Sequence, residues 1–395
     1  MARLMLLIID GLGCGAQEDS HEYGDAGANT LGHVVAACRP HLPNFHNLGL
    51  GNIIPMEHLK SCSKPLAAHG KMRERSAGKD STTGHWEMAG ILLEQAFPTF
   101  PDGFPAPVIE QLKQVTGCAD MLCNKPYSGS DVIRDFGLEH IATGNPILYT
   151  SADSVLQIAT HVDVTPLDTL YDWCSRIREI FTQGEYAVGR VIARPFSGDE
   201  PPFSRLSDHR HDYSLLPPEP NLLTMLQRNG VKTQSIGKVV DLFAGCGIDE
   251  YRKTEGNSDG LDAILEWWRS TEPDDDIFQF VNLIDTDQLY GHRNDPAGYA
   301  RCLEEIDQRL PEILSLMVDG DVLLITGDHG NDPTTPGTDH TREFVPLLVY
   351  PSTAATDPNL GIVDGFGALA NGIQTFFGFE NSSQSILKAH LNHRV

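Results

Sequence analysis

Three short apolar runs in this chain each lead into acidic or imidazole side chains, and that pattern restricts the fold more than any other feature. Leu4 to Ile9 runs into Asp10, Phe278 to Ile284 into Asp285 and Asp287, and Val322 to Ile325 into Asp328 and His329. Unbroken apolar runs of this length suit parallel strands buried on both faces, and open parallel sheets form their ligand crevices at strand carboxyl ends. Between the second and third runs, Leu303, Ile306, Leu310, Ile313 and Met317 recur on one face of a helical pattern. A helix there supplies a crossover between adjacent parallel strands. The expected class is α/β, a mostly parallel sheet flanked by helices.

At 395 residues the chain is longer than one core usually serves, so two domains are expected. The Pro-rich stretches FPTFPDGFPAP and DEPPFS bracket a middle segment with further strand candidates at Ile147 to Thr150 and Ala187 to Ala193. Residues 98–213 therefore read as a smaller inserted α+β cap domain within a core made of 1–97 and 214–395. The formal charge of −25 disfavours nucleic acid and anionic lipid surfaces as partners. No apolar run is long enough to span a bilayer and no leader opens the chain, so a cytoplasmic protein is expected. Eight scattered cysteines without a CxxC pair read as reduced structural thiols.

Chemistry concentrates in three places. In DGLGCGA, the residues Gly11, Gly13 and Ala16 imitate a dinucleotide fingerprint, but the polar loop that follows is not the helix such a site requires. Asp10, Asp287, His292, Asp328, His329 and His340 form a mixed oxygen and imidazole set suited to Zn²⁺ or Mn²⁺, enough for two neighbouring ions. Two such ions can clamp the entering and leaving oxygens of a phosphoryl transfer. Asp285 is a rival to Asp287, because residues two apart on a strand share a side. The third place is GKDSTTGHWE, whose hydroxyls fit either a nucleophile or the cap of a helix starting near His85.

The segments IIDGLGCG, DAGANTLGH, GKDSTTGHWE, YTSADSVLQIA, GRVIARPF, RHDY, IDTDQLYGHRNDP and GDHGNDPTTPGTDHTRE together resemble the successive signature blocks of bacterial phosphopentomutases, in order and from end to end. The resemblance implies an alkaline-phosphatase-like core with an inserted cap, two Mn²⁺ ions per chain and a phosphorylated hydroxyl residue. It assigns Asp287, His292 and His340 to one ion and Asp10, Asp328 and His329 to the other. The family's nucleophile is typically a threonine after Lys-Asp; here that position is Ser81, with Thr82 the alternative. Ser151, Asp153 and Val155 resemble the ribose-binding segment. Arg190, Ile192, Arg205 and, from the core, Lys238 resemble the lining of the remote phosphate.

The activity so implied is interconversion of ribose 1-phosphate and ribose 5-phosphate, with the 2-deoxyribose analogues, through phosphoserine and a 1,5-bisphosphate. A sugar bisphosphate is the implied activator, and small pentose phosphates the partners. Two other readings stand beside it: a related phosphoglycerate mutase, phosphatase or phosphodiesterase on the same core, and a catalytically silent metal-binding homologue.

Overall fold

The computed structural model describes residues 2–151, 154–182, 184–271, 275–351 and 357–379. The chain divides into two compact units, Met1–Ala96 with Pro217–Val395, and Phe97–Leu216.

The larger unit is built on an eight-stranded sheet. Its order is Glu250–Arg252, Lys232–Ile236, Ile277–Leu283, Arg3–Ile9, Val322–Thr326, Val345–Tyr350, Ala68–Arg73 and Asn359–Asp364. Only Val345–Tyr350 runs against the rest. The central strands are buried on both faces, as their unbroken apolar sequences require. Met5, Leu7 and Ile9 meet Leu303, Ile306, Leu310 and Ile313 of helix Pro296–Leu316 in one apolar cluster. Each such side chain, fully buried, contributes about 1.5–3 kcal/mol.

This helix is the expected crossover, but the strands it joins are not neighbours, because Arg3–Ile9 lies between Ile277–Leu283 and Val322–Thr326. The amino-terminal strand thus fills the centre of the sheet, and the crossover steps over it. Local periodicity could not disclose that. The consequence is functional: the carboxyl ends of three adjacent parallel strands now lie side by side.

The smaller unit carries its own sheet, Leu122–Pro126, Ile147–Thr150, Val155–His161, Arg190–Ser197 and Ser204–Arg205, with His211–Ser214 also paired to Arg190–Ser197. The second expected strand starts at Arg190, three residues after Ala187. Alternation splits its core in two. Leu148, Ile158 and Val191 face helices Ala106–Thr116 and Leu167–Ile180, while Ile147, Tyr149 and Ala159 face helix Gly129–Thr143. All eight cysteines are unpaired thiols. Among the described residues no helix is long and apolar enough to cross a membrane.

Candidate active site

Each strand end supplies its own part of one buried cluster. Asp10 directly follows Ile9, and its amide donates to Leu283 O at 3.0 Å. Gly11 then turns away at φ 76°, where any side chain would press on Asp287. Asp328 comes two residues after Thr326, and its Oδ1 accepts from the Gly11 amide at 3.0 Å. Asp287 sits in the short helical turn Thr286–Tyr290, held by Asn331 Nδ2 at 2.7 Å. Because the strand stops at Leu283, the period-2 argument linking Asp285 to Asp287 fails. Asp285 instead caps Asn257, accepting from its amide at 2.8 Å.

The six sequence-predicted donors come together. Asp287, His329 and His340 present ligand atoms within 4.8 Å of one another, and so do Asp10, Asp328 and His329. His292 joins the first group through Nε2, 3.3 Å from Asp287 Oδ2. His329 therefore stands between the groups rather than in one alone. Its Nδ1 lies 3.1 Å from Gly330 O and His292 Nδ1 lies 2.6 Å from Thr338 O, so each Nδ1 carries the proton and each Nε2 offers a lone pair.

This arrangement fits cations. His329 Nε2 faces Asp10 Oδ1 at 3.6 Å and Asp328 Oδ2 at 3.4 Å, lone pair toward lone pair, and both carboxylate oxygens are buried without a hydrogen-bond partner. Burying each carboxylate costs several kcal/mol unless it is compensated. Burial lifts Asp10 to about 7, with Asp328 and Asp287 adding to the rise and Lys238 opposing it. Burial also opposes the charge of Asp328, but His85 and Lys238 help hold that carboxyl below the usual range. Burial pushes His329 down to about 4, which keeps it neutral and able to ligate. Lys238 is one ammonium against three carboxylates, and divalent ions held by these residues would supply the missing positive charge.

The hydroxyl loop resolves at atomic detail. Asp80, not a serine or threonine, caps helix Ser81–Met88: its Oδ1 accepts from the amides of Thr82 and Thr83 at 3.0 and 3.1 Å. Of the two readings left open for this run, nucleophile or cap, the cap falls to Asp80 rather than to Ser81, Thr82 or Thr83, because the carboxylate outcompetes neutral hydroxyls for those amides. Thr83 Oγ1 is tied to Asp80 Oδ2 at 2.6 Å. Ser81 Oγ is left facing the cluster, 3.1 Å from His329 Nε2 and 2.7 Å from Lys238 Nζ. Lys238 Nζ also lies 2.5 Å from Asp10 Oδ2, so the structure sets it at the serine hydroxyl.

In the smaller unit, Val155 pairs with Arg190 and Gln157 with Ile192 across parallel strands, and Ser151 follows Thr150. Arg190 reaches Asp212 at 3.5 Å, and Arg205 is exposed on its short strand. Asp153 lies outside the described residues. Sequence reasoning passed over His85, whose Nδ1 lies 2.8 Å from Ser81 O and 3.3 Å from Asp328 Oδ2. It also passed over Asn331 and Arg342; the latter donates to Ser76 O and Gly78 O and so braces the loop before Asp80. His85 and Asn331 stand inside quoted motifs, yet nothing in their spacing aims them inward.

Fold and donor set together define a metal-dependent enzyme of the metalloenzyme superfamily, whose sequence profile matches residues 2–381. A phosphopentomutase of Caldanaerobacter subterraneus subsp. tengcongensis is 48% identical over 377 residues, covering 95% of this chain and 94% of that protein. One from Deinococcus radiodurans is 49% identical over 352 residues, covering 88% and 89%. A Pyrococcus horikoshii protein of solved structure shares the fold, with a TM-score of 0.51, 15% identity and 97% and 98% coverage. The chain belongs to the phosphopentomutase family, and it is an isomerase with an alkaline-phosphatase-like α/β core.

Proposed function

We propose that the chain interconverts ribose 1-phosphate and ribose 5-phosphate, and their 2-deoxyribose analogues, through phosphorylated Ser81 and a 1,5-bisphosphate. The observation that carries this reading is the placement of Ser81 Oγ. It is free of any capping duty, beside a neutral imidazole and an ammonium, at the rim of the buried donor cluster. Asp287, His292 and His340 would hold one Mn²⁺, and Asp10, Asp328 and His329 the other. When bound, the pair supplies positive charge against the phosphoryl oxygens and lowers the pKa of a nearby hydroxyl.

The transfer balances within the chain and its substrate. The bond from Ser81 Oγ to phosphorus breaks as the free sugar hydroxyl forms its own, and the hydroxyl's proton is exchanged for one on Oγ. Lys238 donates to Oγ and steadies the negative charge that grows there. In the second half the other phosphate of the bisphosphate returns to Ser81. A sugar bisphosphate is thus also the activator, able to recharge an enzyme whose phosphoserine has been hydrolysed. In the smaller unit, Ser151, Asp153 and Val155 meet the ribose, while Arg190, Ile192 and Arg205 line the far phosphate.

Incubating the protein with ribose 1,5-bisphosphate should raise its intact mass by one phosphoryl group, mapped by peptide fragmentation to Ser81. Ser81→Ala should block both the gain and conversion of ribose 5-phosphate, with kcat falling at least 1,000-fold or so, equivalent to about 4 kcal/mol. Thr82→Ala should keep both. Full turnover by Ser81→Ala would refute the assignment.

A further inference from the structure

The smaller unit gathers positive charge around a helix end in a way that its own contacts do not use. Gly129 opens the 15-residue helix Gly129–Thr143, and Ser128 before it makes no side-chain cap, so the first amides of this helix have no intrahelical acceptor. Three groups from three strands converge there. A methyl carbon built on Gly129 would stand 3.2 Å from Tyr149 Oη, 3.6 Å from an Arg205 terminal nitrogen and 4.0 Å from one of Arg194.

None of these groups is satisfied at that point. Tyr149 is 1% exposed, yet its hydroxyl makes no hydrogen bond among the described residues. Burial keeps that phenol above its ordinary range, so it remains an O–H donor. Arg194 uses Nε on Gln157 Oε1 at 3.1 Å and leaves both terminal nitrogens without an acceptor. The nearest carboxylates are already engaged: Asp212 accepts from Arg210 at 2.7 Å through both oxygens and faces Arg190 at 3.5 Å, while Asp131 pairs with Arg134 at 2.5 Å. A protein with a formal charge of −25 thus concentrates guanidinium groups and a buried phenol where an anion would complete them. Helix amino termini carry partial positive charge and open amides, and guanidinium groups grip phosphate oxygens in pairs.

We propose that the amino-terminal end of helix Gly129–Thr143, together with Tyr149, Arg194 and Arg205, forms a phosphate-binding subsite that takes the dianionic monoester group of a sugar phosphate. Arg205 is already expected near a phosphate; Tyr149, Arg194 and the helix end are its new members. The proposal rests on the reading of sugar phosphates as substrates. Gly129 is required because a side chain would occupy the space of the phosphate.

The test is calorimetric titration of inorganic phosphate into full-length protein stripped of divalent metal. Arg194→Gln should weaken phosphate binding about tenfold or more, and Tyr149→Phe several-fold. Gly129→Ala is the separating variant: alanine is the better helix former, so its melting temperature should match or exceed the wild type while phosphate binding is lost. KM for ribose 5-phosphate should rise in all three, with kcat changed less. Wild-type protein that ignores millimolar phosphate, or three variants that bind it like wild type, would overturn the subsite. If phosphate binding follows the predicted order but no ribose 5-phosphate turns over, the subsite stands and the pentose reading falls.

Discussion

Asp80 takes the helix cap, and Ser81 is left with a hydroxyl that the helix does not need. That carboxylate is what leaves Ser81 available as the proposed nucleophile rather than as an ordinary capping serine. The same residue-level logic governs His140 in the smaller unit, which is fully buried, with Nε2 accepting from the His161 amide and Nδ1 donating to Asn145 O, both at 2.8 Å. Both nitrogens are committed to the neutral tautomer, and burial lowers its pKa from 6.5. The unfolded chain therefore binds a proton that the folded chain refuses. That contribution to stability is complete above about 6.5 and is lost as pH falls from there toward the lower folded value. Melting temperatures followed from pH 7.5 to 5 should fall more steeply for the wild type than for His140→Gln; parallel curves would remove His140 as a cause.

At the scale of elements, helix Ser81–Met88 is pressed against the end of strand Val322–Thr326. Gly84 has no room for a side chain: a Cβ there would lie 2.2 Å from Asp328 O, a backbone atom of a candidate metal ligand. Trp86, fully buried, donates Nε1 to Leu242 O at 2.9 Å and fixes the helix from its other side. Gly84→Ala should gain about 1 kcal/mol in helix propensity and lose about 1–3 kcal/mol to overpacking. The net expectation is a lower melting temperature together with weaker Mn²⁺ binding, read by calorimetry. A stabilised variant with unchanged metal affinity would show that the contact has slack. A helix here was one of the two readings of the sequence, placed about four residues too late, because a run of four capping-competent residues, DSTT, gives no rank order until the carboxylate's partners are known.

At the scale of the whole molecule, three buried carboxylates in one cluster lead to the expectation that bound cations stabilise the larger unit. Ligand binding to the folded state alone adds about 2.7 kcal/mol at one hundred times Kd, so saturating Mn²⁺ should raise the calorimetric transition by several degrees and a chelator should reverse it. Asp328→Asn should abolish most of that increment. Scanning calorimetry with and without metal checks both, and an increment intact in the variant would remove Asp328 from the donor set. By itself the sequence determined the α/β class, the strands ending at Asp10 and Asp328, the crossover helix and the set of candidate donors, because apolar period and motif order are local properties. Only the tertiary structure decided that Arg3–Ile9 sits between its partners, that Asp285 turns aside to cap Asn257, that Lys238 reaches Ser81, and that Tyr149 and Arg194 meet at a helix end. Those outcomes depend on which strands pair and where each backbone turns, and contacts between residues hundreds of positions apart leave no mark on local spacing.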